Sequence, residues 1–122
     1  MEGIRLETAL KDIDGFVVVE VSGEVDVYTA TALREALNEV VDNGQNHVIV
    51  NMEHVKYMDS SGFGTLLSVM KRVRPDGGSV NLVSCNNAID RMLKITRLNT
   101  VFRMHGSLDE AISNLKEQLS SE

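Results

Sequence analysis

The chain has 122 residues, 43% of them hydrophobic and 25% charged, which suits one domain (residues 1–122) with a globular core and not a disordered chain. A net charge of −6 with only twelve Lys and Arg leaves little for a phosphate-binding surface, and the one cationic cluster, Lys71, Arg72 and Arg74, falls near a predicted helix end, so no direct nucleic-acid binding is expected. The single cysteine excludes an intramolecular disulfide, and neither a signal-peptide core nor a membrane-length apolar run is present, so a cytoplasmic protein without membrane insertion is expected.

In chain order, Ile4, Leu6, Thr8 and Leu10 alternate with polar residues and predict a half-buried strand. Asp12-Ile13-Asp14-Gly15 carries turn chemistry, and "FVVVEVSG" follows as a nearly continuous apolar strand, which together predict an antiparallel hairpin. From Thr29 the spacing becomes helical through Ala30, Leu33, Leu37, Val40 and Val41, stopping at Asn43-Gly44. Residues 47–52, "HVIVNM", predict a strand buried on both faces. Phe63, Leu66, Leu67, Met70 and Val73 mark a second helix that ends before Pro75-Asp76-Gly77-Gly78.

"SVNLVSC" predicts a further inner strand, with Cys85 as a buried, unreactive thiol. Ala88, Ile89, Met92, Leu93 and Ile95 predict a third helix starting near Asn86 or Asn87, and "VFRMH" a short strand. Ser107-Leu108-Asp109-Glu110 has capping-box spacing and opens a last helix through Ala111, Ile112, Leu115 and Leu119. The alternation defines an α/β fold: a mixed, mostly parallel sheet of about five strands with an antiparallel N-terminal hairpin, and about four helices. Functional groups in such sheets collect where strands lead into helices, here "GEVDVYT" and "EHVKYMDSSG".

The second of these segments places Asp59, Ser60, Ser61, Gly62 and Gly64 at a helix start. A nucleophilic serine would need a base and the G-x-S-x-G elbow; that context is missing, and His47, His54 and His105 are predicted in a strand, a loop and a strand end. Gly62-Phe63-Gly64 lacks the lysine and spacing of a phosphate loop, and Glu24, Asp26, Glu53 and Asp59 show no metal-ligand spacing. Helix capping needs only one polar residue, so three beside two helix-disfavouring glycines suggest close approach by something else. An added phosphate would bring about −1.5 to −2 charges to this helix start, where the helix N-terminus favours an anion and Asp59 repels it; the two effects oppose one another, so the fold changes little and the consequence would fall on a docked partner.

"GEVDVYTATALREAL", followed by "MEHVKYMDSSGFGTLLSVMKRV", resembles the STAS domain of bacterial anti-sigma-factor antagonists over nearly the whole chain. Its specific parts are the G-E-x-D segment at Gly23, Glu24 and Asp26, and the D-S-S-G segment. The resemblance implies a regulator and not an enzyme. Ser60 is then the phosphate acceptor, Ser61 caps or orients the loop, and Glu24, Asp26, Asp59, Ser61, Gly62 and Phe63 form the partner-binding surface. The implied partner is an anti-sigma factor that is also a serine kinase. The unphosphorylated protein binds it and frees the sigma factor, phosphorylation breaks the complex, and a metal-dependent serine phosphatase restores it. ATP and Mg2+ belong to the kinase; no cofactor is implied for this chain, and the free protein is expected to be a monomer. Phe63 departs from the usual aliphatic residue after D-S-S-G, and packing beneath the helix is its expected role. A constitutive or transporter-associated STAS subunit and a small nucleotide-binding module are the alternative readings.

Overall fold

A computed structural model describes residues 5–121. The elements are β1 (Leu6–Ile13), β2 (Phe16–Val25), α1 (Ala30–Asp42), β3 (His47–Met58), α2 (Ser60–Val73), β4 (Ser79–Val83), α3 (Asn87–Ile95), β5 (Arg103–His105) and α4 (Leu108–Ser120). The strands form one sheet in the order β1-β2-β3-β4-β5; β1 is antiparallel to β2 and the other pairs are parallel. This is the expected mixed sheet with its N-terminal hairpin and four helices.

The strand order never reverses. Right-handed crossovers that all step one way lay their helices on one face, so α1, α2 and α3 share a core with Val19, Val21, Val48, Val50 and Leu82. α4 crosses to the other face and closes a smaller cluster, Val18, Ile49 and Val83 under Ala111, Ile112 and Leu115. Neighbouring residues such as Val18 and Val19 therefore serve different cores, which is why β2 reads as a continuous apolar run. Leu33, Leu37 and Leu66 are fully buried, and each such side chain contributes about 1.5 to 3 kcal/mol by leaving water.

The hairpin differs from expectation at its turn. Its turn is only two residues, Asp14 and Gly15, with φ of 55° and 88°, the pairing of left-handed residues that matches the twist of adjoining strands. β1 runs on to Ile13, while Ile4 lies outside the described residues. β1 is also not half-buried: Leu6 packs on the core, but Thr8 and Leu10 are exposed, Leu10 at 40%. As the outermost strand, β1 lies at the rim of α1, and a groove remains between them, lined by Thr8, Leu10, Glu35 and Glu39.

Three further expectations are corrected. In α3 only Ile89 and Leu93 are buried, while Ala88, Met92 and Ile95 are exposed; residues 88, 92 and 95 form a neighbouring stripe, and the sheet takes only the 89–93 stripe. In α4 Leu119 is 39% exposed because it lies beyond Leu115, the last α4 residue in the cluster. The predicted capping box is half formed. Ser107 Oγ accepts from Glu110 N at 3.1 Å, but the Glu110 carboxylate reaches back to Gly106 N, at 3.5 Å.

Candidate functional site

The two loops singled out by the sequence are shorter than predicted, because strands consume most of them. β2 continues through Gly23 and Glu24 to Val25, and β3 continues past Met52 to Met58. Against β2 the register of β3 slips twice: Glu20 faces Asn51 but Ser22 faces His54, and Gly23 faces Val55 but Glu24 faces Tyr57. Each slip is a bulge with one extra residue in β3. Met52, Val55 and Met58 thus all turn into the core, while Glu53, His54, Lys56 and Tyr57 are exposed.

Gly23 is required where it stands. Its φ is +119°, and a Cβ there would lie 2.0 Å from the carbonyl oxygen of Arg5. This close approach lets Glu24 N donate to Arg5 O at 2.8 Å and brings the Arg5 side chain over the turn that follows β2. Asp26 organises that turn. Its Oδ1 accepts from Tyr28 N at 2.8 Å and Thr29 N at 3.0 Å, and its own N–H donates to Thr29 Oγ1 at 2.9 Å. The Thr29 hydroxyl donates to Glu24 O at 2.8 Å, so Thr29 spends its side chain on the turn and not on capping α1. Arg5 pairs with the other Asp26 oxygen, lies 3.7 Å from Glu24, and sits 6.0 Å above the Tyr28 ring. Burial works to raise the Asp26 pKa but is outweighed by the Thr29 and Tyr28 N–H groups, Arg5 and the Thr29 hydroxyl; the net shift is downward. Asp26 is therefore a fixed anion with its lone pairs largely committed, while Glu24, Val27 and Tyr28 point outward, Tyr28 at 82% exposure.

The second loop is joined to the first by backbone. Val25 pairs with Met58, and Asp59 N donates to Val25 O at 3.0 Å. Asp59, not Ser61, is the α2 cap: its Oδ1 accepts from Ser61 N at 2.8 Å, and its carbonyl accepts from Gly62 N at 3.0 Å and Phe63 N at 3.3 Å. Ser60 is the first residue of α2 and is exposed; Ser61 is half-buried, and its carbonyl accepts from the Thr65 hydroxyl at 2.9 Å. Gly62 and Phe63 are buried, so they support this surface from beneath and present no side chain to a partner. A Cβ on Gly62 would lie 2.4 Å from Met58 Cγ and 2.8 Å from Val25 Cγ1, whereas one on Gly64 would meet open space. The close approach that called for a glycine at 62 comes from inside the molecule.

Glu24, Asp26, Asp59 and Ser60 thus lie along one edge of the sheet, at the C-terminal ends of β2 and β3. Tyr57, 52% exposed, and Val27, 65% exposed, add apolar surface to it. These two, together with Arg5, Tyr28 and Thr29, were not singled out in the sequence. Exposed tyrosines within "GEVDVYT" and "VKYMDSSG" were the available signal; the Arg5 contact, made across 21 positions, left none.

The other chemical groups lie elsewhere. His47 Nδ1 is 2.8 Å from Ser79 Oγ, His54 is 3.9 Å from Glu53, and His105 Nε2 is 2.9 Å from Asn81 Oδ1. Burial, followed by the charge of Asp90, pushes the Cys85 thiol up to about 12, which suppresses the reactive thiolate. Among the described residues no three His, Cys, Asp or Glu side chains converge as a metal-ligand set, and no helix is long and apolar enough to cross a membrane. Among the described residues the strand order does not reverse, so it forms no switch-point crevice of the kind in which open α/β sheets bind ligands.

The described chain is a small α/β sheet with an exposed, acidic and partly aromatic surface at its strand ends, and comparison with known proteins gives the family. The model of the STAS domain matches residues 7–111. An anti-sigma-B factor antagonist of Staphylococcus aureus is 31% identical over 102 residues, covering 84% of this chain and 93% of its own. One of Bacillus subtilis is 31% identical over 98 residues, covering 80% of this chain and 89% of its own. The crystal structure of an anti-sigma factor antagonist from Mycobacterium paratuberculosis superposes with a TM-score of 0.84 at 29% identity, covering 91% of this chain and 94% of that one. The chain belongs to the STAS domain family.

Proposed function

We propose that this protein is an anti-sigma-factor antagonist whose binding surface is switched by phosphorylation of Ser60. The observation that carries the reading is the placement of an exposed hydroxyl at the first position of α2, directly after the Asp59 cap and on the sheet edge that also carries Asp26 and the exposed Tyr57 and Tyr28. The unmodified surface offers Glu24, Val27, Tyr28, Tyr57 and Ser60 to an anti-sigma factor that is also a serine kinase. Binding to that partner frees the sigma factor. Asp26 and Asp59 hold the two loops in shape.

Phosphate transfer to Ser60 forms the ester Oγ–P bond, breaks the bond between the β and γ phosphates of ATP, and passes the hydroxyl proton to a base of the kinase. At the helix N-terminus the Ser61 N–H is already taken by the Asp59 carboxylate, whose charge also repels the added dianion. It projects to solvent and meets the docked partner, where about 2.7 kcal/mol of lost binding is a hundredfold change in affinity. A serine phosphatase resets the surface. The homologous antagonists named above support this assignment, and no chemistry is ascribed to the chain itself.

Incubation with the cognate kinase, ATP and Mg2+ followed by phosphopeptide mapping tests the site. One phosphate on Ser60 is expected, none on Ser61, and an unmodified Ser60→Ala variant that still binds the kinase. A phosphate found elsewhere while Ser60 stays unmodified contradicts the proposal.

A further inference from the structure

We propose that the outer edge of β1 pairs with the same strand of a second copy, antiparallel and centred on Ala9, to form a weak two-fold dimer. This goes beyond the switch at Ser60 and does not depend on it. Among the described residues β1 is the end of the sheet, and its residues from Glu7 to Asp12 are all exposed, so its outer backbone groups have no strand beside them there. The opposite edge, β5, is only three residues long and cannot serve in this way.

The register follows from the hairpin. Ile13 and Phe16 close the two-residue turn as a hydrogen-bonded pair. Alternation then turns the backbone groups of Lys11, Ala9 and Glu7 toward β2, and aims those of Asp12, Leu10, Thr8 and Leu6 outward. A two-fold antiparallel pairing must join outward-aimed residues to each other. With the dyad at Ala9 it does so: Thr8 faces Leu10 of the second copy, and Leu6 faces its Asp12. Ala9 then lies opposite itself in the close class of pair, with Cα atoms about 4.5 Å apart, where a methyl group fits. In the same close class, Glu7 faces Lys11 of the second copy, and Lys11 faces its Glu7.

Charged edge residues normally prevent self-pairing. Here opposite charges lie two residues either side of the dyad on one face, so the pairing that would be blocked by like charges is favoured by unlike ones. The half-exposed Leu10 gains cover from Thr8 of the second copy. Glu35 and Glu39 rim the groove beside Leu10 and bring like charge toward the dyad. With the small area of one strand pair, this keeps association weak and concentration-dependent, and at dilution the free chain is a monomer. Because the two β1 strands run in opposite directions, the Ser60 edges lie at opposite ends of the ten-stranded sheet and both stay open.

Sedimentation equilibrium across a concentration series up to about 1 mM, the range of weak complexes, tests the proposal on the full chain, its Glu7→Lys and Lys11→Glu variants and the double exchange. Each single variant sets two like-charge pairs across the dyad and should weaken self-association about tenfold or more, and the double exchange should restore it. Amide exchange of Thr8 and Leu10 in the unaltered chain should slow as concentration rises. A chain that stays monomeric throughout, single variants that associate like the original, or a double exchange as weak as the singles overturns the proposal.

Discussion

Asp59 and Gly62 share one helical turn and do different work in it. Asp59 supplies the cap, so Asp59→Ala should cost about 1 kcal/mol in chemical denaturation. Gly62→Ala drives a methyl group into Met58 and Val25 and should cost about 1 to 3 kcal/mol. Gly64→Ala meets nothing and should stabilise the helix by about 0.5 to 1 kcal/mol. Equal effects of the two glycine variants would refute this division. The sequence shows a cap with more polar and glycine residues than capping needs, and the structure accounts for all of that excess but Gly64. Gly62 answers to the strand ends beneath it, Ser60 is left over at the surface, and Gly64 answers to no contact among the described residues. Asp26 was legible as an acid in a strand-end loop. Its partners were not all so, because Tyr28 and Thr29 are local but Arg5 arrives through the close approach of β1 at Gly23.

At the scale of elements, local patterns identified the order of strands and helices, and tertiary context decided their lengths. β3 past Met52 has buried residues every third position because of its two bulges, a spacing that signals neither strand nor helix. Its sequence therefore resembles a loop. α4 shows a second consequence of context: its docking depends on polar groups from three strands. Asn81 Nδ2 donates to Val48 O at 3.2 Å and Ser79 Oγ at 2.9 Å, so its Oδ1 must accept from His105 Nε2, at 2.9 Å. His105 Nδ1 then accepts from Asn114 Nδ2 on α4, at 3.2 Å, which only an imidazole unprotonated at that nitrogen can do.

Burial lowers the His105 pKa; Glu110 works against that and Arg103 with it, and the net shift is downward. The unfolded chain therefore takes up this proton first as the solution is acidified. The contribution is intact above the ordinary histidine value of about 6.5 and is lost as pH falls through the lower folded value. Urea denaturation at pH 7.5 and 5.5 should show a larger acid loss for the unaltered protein than for His105→Gln. An equal loss in both would show that His105 is not the group responsible.

For the whole molecule, the proposed function requires that modification of Ser60 change what binds and leave the fold in place. Ser60 is exposed and its hydroxyl supports no element, so Ser60→Asp should leave stability within about 0.5 kcal/mol of the original while weakening the kinase complex. A net charge of −6 adds to this effect, since a new dianion joins a surface already acidic at Glu24, Asp26 and Asp59. The most direct measurement is calorimetric titration of the cognate anti-sigma kinase with the unmodified protein and with protein carrying phosphoserine at position 60. Unmodified protein should bind at least about a hundredfold more tightly, a difference of roughly 2.7 kcal/mol. Equal affinities for the two forms, with both folded, would contradict the account.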